Sequence, residues 1–230
     1  VRLHHKLSRI IVDVTVIAEY FPLYVEAAGL TLRIAFFGIV YSLAVGLVAS
    51  LIQYLRIPVA RQIVDVYVEL SRNTPLLVQL FFIYFGLPKL GIVWSAEACA
   101  VIGLTFLGGS YMAEAFRSGL ESIESIQMES ALSLGMKTRT AIRYVVFPQA
   151  FAVAMPGLTA NVIFLIKETS VVSVVALPDL VYVTKDLIGM DYNTWTALWM
   201  LVAFYLVILL PISLAAAYLE RKVRHGRFGD

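Results

Sequence analysis

Glu129-Ser130-Ala131, three residues to Gly135, then nine residues to Val145-Val146-Phe147-Pro148: this stretch is the most polar long segment of a very apolar chain. It carries Lys137, Arg139 and Arg143 between apolar runs on either side. Lys, Arg and Glu suit helices, and Gly135 offers a stop between two short ones. Thr138 is placed to cap the second. Between two membrane spans such a stretch has to be an internal loop. A loop this long and helix-prone implies a docking partner.

The surroundings put the chain in a bilayer. Of 230 residues, 60% are hydrophobic and 15% charged, with a mean hydropathy of +0.83. Ordinary soluble domains are about 25% charged, and this surplus of apolar residues needs an apolar solvent. Cys99 is the single cysteine and lies in an apolar run, so no disulfide framework exists. His4, His5 and His225 lie near the termini. That argues against an intramembrane metalloenzyme or a His-dependent intramembrane protease, and no metal site is expected. The net charge of +2 says little, and no nucleic acid partner is expected. The basic N-terminus runs into Ile10-Ile11-Val12, but Asp13 interrupts at once, which does not fit a cleavable signal peptide.

The spacing of charges predicts an all-α membrane protein with about five spans. Residues 1–25 read as an extracytoplasmic or interfacial segment, because Asp13, Glu19, Glu26 and Pro22 make an early span costly. The membrane domain covers residues 26–219, with a polar loop at about 119–148, and residues 220–230 form a basic tail. Ile34 to Leu55 is 22 residues without a charge, which as a helix reaches ~33 Å. Gly38, Ser42 and Gly46 recur every fourth residue in it, a small-residue ridge for close helix packing.

A second span is predicted over about 62–86. Asp65, Glu69, Arg72 and Gln79 fall within an arc of ~80° on one regular helix. Two readings stand for them: Glu69 neutralises Arg72 at i,i+3 and holds helices together, or the group contacts a solute. In the third span, about 96–118, Gly103, Ser110, Glu114 and Arg117 share an arc of ~60°; Glu114 with Arg117 reads as an interfacial salt bridge. The fourth begins at about 149, and Pro156 is expected to kink it. Ala154, Gly157, Asn161 and Glu168 align on one of its faces. Lys167-Glu168-Thr169-Ser170 then sits between apolar stretches, either as functional groups or as a helix end at the interface. A short, partly buried helix and outer loop follow over 171–191. Tyr192 to Leu219, 28 residues without a charge, is the fifth span, with Trp195, Trp199 and Tyr218 as interface anchors.

Positive charge fixes the orientation. Arg56, Arg61, Lys137, Arg139, Arg143, Arg221, Lys222, Arg224 and Arg227 collect on one side. Lys89 and Lys185 lie on the other, diluted by Asp179, Asp186 and Asp191. The basic side is cytoplasmic, so the N-terminus is outside and the C-terminus inside; Arg2, Lys6 and Arg9 count against this. The central loop is then cytoplasmic. No phosphate-binding Gly-x-x-x-x-Gly-Lys-Ser/Thr loop occurs; Gly135-Met136-Lys137-Thr138 is nearest and has the wrong spacing.

The loop resembles the signature of permease subunits of binding-protein-dependent ABC importers: Glu-Ala-Ala, three residues, Gly, nine residues, Ile, any residue, Leu-Pro. Ser130 replaces the second-position Ala, Val145 the Ile and Phe147 the Leu, with the spacing intact. The likeness covers roughly residues 24–225. The runs Gly29 to Leu32, Tyr67 to Pro88, Tyr111 to Leu120 and Phe147 to Ala150, with Pro156, Asn161 and Lys167 to Ser170, look like the polar amino acid branch. The resemblance implies the type I importer permease fold, with a coupling-helix loop between spans three and four. Glu129, Ser130, Ala131, Gly135 and Pro148 would couple to the ATPase. It implies two ABC ATPase subunits that carry ATP and Mg, this chain holding no cofactor. It also implies a second permease subunit, identical or related, and an extracytoplasmic amino-acid-binding protein. The setting is a bacterial or archaeal cytoplasmic membrane, and the cycle is alternating access. Glu69, Arg72, Thr74, Asn161, Lys167, Glu168 and Thr169 are the candidate solute contacts, because an amino acid presents an ammonium and a carboxylate together. An ion-coupled secondary transporter or channel would use the intramembrane carboxylates instead, but would leave the central loop without a role. A membrane enzyme would have only Lys167 with a serine, or a carboxylate pair.

Overall fold

The uncharged runs are helices, and the small-residue ridge decides how they pack. In the computed structural model, which describes residues 14–191 and 194–228, no strand occurs among the described residues. Helix α1 is Val14–Tyr54, α2 Ala60–Arg72, α3 Leu76–Phe81, α4 Ala96–Glu121, α5 Ser125–Ser133, α6 Thr138–Ala141, α7 Phe147–Glu168, α8 Leu180–Asp191 and α9 Thr194–Phe228. Among the described residues, four stretches are long and apolar enough to cross a membrane: Thr15–Tyr54, Ala96–Glu121, Thr138–Val175 and Thr194–Val223; Leu76–Leu90 is a shorter apolar helix. Residues 1–13 of the expected N-terminal segment, with the charges Arg2, Lys6 and Arg9, lie outside the described residues.

Helix α4 is the centre, packed against α1 on one side and α7 on another. The α1 ridge makes the first contact. The Ser42 hydroxyl donates to the Leu104 carbonyl at 3.2 Å, and a Cβ at Gly46 would collide with Met112. The expected face of α7 makes the second: Ala154 is buried, and the Asn161 amide donates to the Tyr111 carbonyl at 3.0 Å. The Gly103–Arg117 face of α4 meets α2 and α3, where the Ser71 and Ser110 hydroxyls are 2.9 Å apart. At one end, Leu120, Val146 and Ala150 pack with Leu51, Tyr54 and Met128, which gathers the α1, α4 and α7 ends over α5.

Several boundaries differ from the expected ones. Helix α1 runs uninterrupted through Pro22 and Glu26, so the N-terminal segment from Val14 continues the first span. Tyr24 explains part of this: it is fully buried, and its hydroxyl bonds the Thr184 hydroxyl at 2.9 Å and the Ala197 carbonyl at 3.1 Å. Docking against α8 and α9 overrides the local polarity. The second span is two helices, broken at Asn73-Thr74-Pro75, with Pro75 extended (φ −61°, ψ 143°). Proline disfavours helix in the residue before it and lacks the N–H that continues a ladder. The fourth span starts about eleven residues early, at Thr138: α6 passes through a wide π turn, Ile142–Val146, directly into α7. Pro148 withholds one N–H there, and the Gln149 amide donates to the Val145 carbonyl at 2.9 Å. α7 continues through Pro156. Beyond it, a 3-10 segment, Thr169–Val175, leads into α8, whose Leu180, Val183 and Leu187 are buried as a short, partly buried helix should be. Helix α9 carries on past Leu219, so the tail is helical as far as Phe228.

Candidate functional site

The central loop forms a helix, a tight turn and a second helix. α5 ends in a Schellman turn: Gly135 N–H donates to Leu132 O at 2.9 Å and Met136 N–H to Ala131 O at 3.1 Å. Gly135 has φ +83°, which a residue without a Cβ adopts freely. A Cβ there would meet nothing within 4 Å. Thr138 does not cap α6; Lys137 holds the cap position, with no side-chain bond. Ala131 is buried, while Glu129, Ser130, Gly135 and Pro148 are exposed. Three apolar side chains stand out beside them, Ile126, Leu132 and Leu134, the last 81% exposed. The sequence pattern singled out none of these three. Their signal was there, as apolar residues on the most polar segment of the chain.

The second group surrounds the break between α2 and α3. Arg72 does not pair with Glu69. Its guanidinium lies 3.4 Å from the Glu114 carboxylate and 5.5 Å from the centre of the Tyr111 ring. Glu114 also pairs with Arg117, which in turn holds Glu121 at 2.8 Å. Glu69 is exposed and accepts from the Asn73 amide at 3.1 Å. Asp65 accepts from the Gln53 amide at 2.7 Å and sits 3.6 Å from Arg61. The Thr74 hydroxyl donates to Leu70 O at 2.7 Å. Gln79 spans the break: its amide nitrogen reaches Ser71 O at 3.1 Å, Thr74 O at 3.0 Å and the Thr74 hydroxyl at 3.1 Å. The expected single arc of Asp65, Glu69, Arg72 and Gln79 is therefore cut in two, because Pro75 ends the regular helix between them.

Tyr111 joins the two spans that carry candidate solute contacts. Its ring faces Arg72 and its carbonyl accepts from Asn161. Arg72, Glu114, Tyr111 and Asn161 thus form one cluster that carries both signs of charge and amide donors. Tyr111 and Glu114 were not among the expected contacts, since a residue that works by joining two others has no pattern of its own. Lys167 and Glu168 end α7 and Thr169 opens the 3-10 segment after it, outside this cluster. Lys167 is exposed and Glu168 half-buried, and the fully buried Thr169 hydroxyl donates to Ile166 O at 2.7 Å.

The chain as a whole is similar to known proteins. A family described as "Binding-protein-dependent transport system inner membrane component" matches residues 42–225. The probable glutamine ABC transporter permease protein GlnP of Bacillus subtilis is 36% identical over 193 residues, 83% of this chain and 88% of that one. The glutamine transport system permease protein GlnP of Escherichia coli is 32% identical, over 88% of this chain and 94% of that one. A crystal structure of an amino acid ABC transporter with histidines superposes with a TM-score of 0.84 at 32% identity, over 92% of this chain and 99% of that one.

Proposed function

The chain belongs to the binding-protein-dependent transport system inner membrane components, and on that premise we propose that it is the membrane-spanning subunit of an ATP-driven amino acid importer. The family is one of multi-pass inner-membrane transporter permeases rather than enzymes, and membership implies ATPase and binding-protein partners in general terms. The observation that carries the finer reading is the exposed apolar edge of α5 at the Gly135 turn. An apolar side chain left out of a polar loop helix fits a partner surface, not water.

In this reading two ATPase subunits carry ATP and Mg, and each receives the α5 loop of one permease subunit, this chain or a relative. Glu129, Ser130 and Leu134 contact the ATPase, while Ala131, Gly135 and Pro148 hold α5 at its angle to α7. Closure of the ATPases on ATP draws the loops together and opens the pathway outward, where an extracytoplasmic binding protein delivers the amino acid. Hydrolysis reopens it inward. The π turn at Ile142–Val146 is the joint through which loop movement reaches α7. The N-terminus lies outside, and the loop and C-terminus face the cytoplasm.

The Arg72, Glu114, Tyr111 and Asn161 cluster, with Glu69 and Thr74 beside it, is the solute contact. A guanidinium suits the solute carboxylate, and a carboxylate suits its ammonium. Lys167, Glu168 and Thr169 act further along the pathway. The test is copurification of the tagged chain from native membranes. An ABC-type ATPase in comparable amount supports the reading. A chain that emerges alone and well folded overturns it in favour of an ion-driven transporter.

A further inference from the structure

A further cleft, mostly apolar but edged by three charged side chains, lies at the opposite end of α4 from the α5 loop, on the exposed face of α1. It measures about 560 Å³, and Glu26, Gly29, Arg33, Glu97, Leu177 and Pro178 line it. Gly29 forms its open floor, since a Cβ there would meet nothing within 4 Å. Arg33 holds Glu97 through a fork of two bonds, each 2.8 Å, yet the two side chains remain 56% and 38% exposed. That fork engages only part of the five-donor guanidinium. Glu26 has no ion-pair partner among the described residues.

The level and surroundings of the cleft define its occupant. Glu97 stands in the first turn of a membrane-spanning helix, and the half-exposed Trp94 lies just before it, so the cleft sits at a membrane–water boundary. From Arg33 toward the membrane middle, the same side of α1 presents exposed Phe36, Phe37, Val40 and Tyr41. A path for a polar solute would not be lined this way, whereas an acyl chain would lie along it. Glu26 and Arg33 are seven residues apart, or ~10.5 Å along a helix. An ammonium and a phosphate joined through two carbons span ~4–5 Å, and a hydrogen bond of ~3 Å at each end closes the distance.

We propose that this cleft binds the headgroup of an ammonium-bearing phospholipid of the phosphatidylethanolamine class. Its phosphate lies on the free donors of Arg33, its ammonium on Glu26, and its acyl chain along Phe36 to Tyr41. The site is independent of the solute cluster and the α5 loop.

The test titrates the full chain, purified in mild detergent, with phosphatidylethanolamine or phosphatidylglycerol and counts retained lipids by native mass spectrometry. The wild-type chain retains phosphatidylethanolamine preferentially. Glu26→Gln lowers that retention about fivefold and leaves phosphatidylglycerol unchanged, as expected for one interfacial charge. Arg33→Gln lowers both. Melting curves of each variant confirm the fold, and Glu26→Gln, an exposed and unpaired position, carries the decision if Arg33→Gln is unstable. Equal retention of the two lipids by the wild type, or an unchanged ratio in Glu26→Gln, overturns the proposal. Loss of uptake with unchanged lipid retention overturns it too, and assigns the cleft to solute delivery.

Discussion

The chain breaks its helices in two contrasting ways. At Gly135 the turn stands in open space, and the neighbouring Leu134 side chain points away from the protein. At Asn73-Thr74-Pro75 the polar groups of the break are taken up internally, by Gln79, Ser71 and Glu69. The first break presents a surface and the second holds a shape. Damage at the first should therefore cost transport without stability, and damage at the second should cost stability first.

Leu134→Asp is the strongest test of that contrast. The residue contributes little to the fold at 81% exposure, so its melting temperature should match wild type. Uptake in proteoliposomes should fall at least about tenfold, the scale of one buried apolar contact at an interface. A variant that unfolds, or one that transports normally, breaks the contrast from the loop side.

The turn before α8 sharpens the other side. Asp179 is fully buried and caps α8 by accepting from Tyr182 N–H at 2.9 Å, while its second oxygen has no partner among the described residues. Burial pushes its carboxyl up to about 6 from an ordinary value near 3.8, against the smaller opposing pull of the cap and of Lys185. The folded chain then binds this proton more tightly than the unfolded one. The group's contribution is most favourable below about pH 4, falls as pH rises to about 6, and is level above that. The difference is on the order of 3 kcal/mol. Asp179→Asn keeps a capping oxygen and should flatten that slope in melting curves between pH 4 and 7. An unchanged slope would show that the carboxyl is not the source.

Gln79→Leu should destabilise by about 1–3 kcal/mol, because buried carbonyls lose their donor. Its uptake should track the amount of folded protein in the membrane, unlike that of Leu134→Asp. The smallest effect belongs to Arg72→Gln, below about 1 kcal/mol in stability for a pair this exposed. Its signature is a changed solute dependence of ATPase activity. If Arg72→Gln alters only expression, the ion pair with Glu114 is structural.

The contrast also explains what could be read from the residues alone. Gly38, Ser42 and Gly46 have one physical use at that spacing, and they pack on α4 as expected. Gly135 was legible for the same reason, as was the helical loop around it. The partner of Arg72 was not: Glu69 is a sound neighbour on an isolated helix, but Glu114 reaches it only through the fold. The break at Pro75 was written in Thr74-Pro75, and the long apolar run beyond it masked the signal. Pro22 and the early carboxylates argued for a later start of the first span, and packing of Tyr24 against α8 and α9 outweighed them.

In the proposed cycle, force enters this chain through the α5 turn. Gly135→Asp tests it most directly, because Asp tolerates a left-handed backbone better than most residues and its side chain would extend into space the protein leaves empty. Uptake and ATP hydrolysis are measured in the same proteoliposomes, with the partner ATPase and binding protein present. The expected result is a folded, inserted subunit whose uptake is lost and whose remaining hydrolysis no longer responds to the loaded binding protein. Wild-type uptake with wild-type stimulation would contradict it.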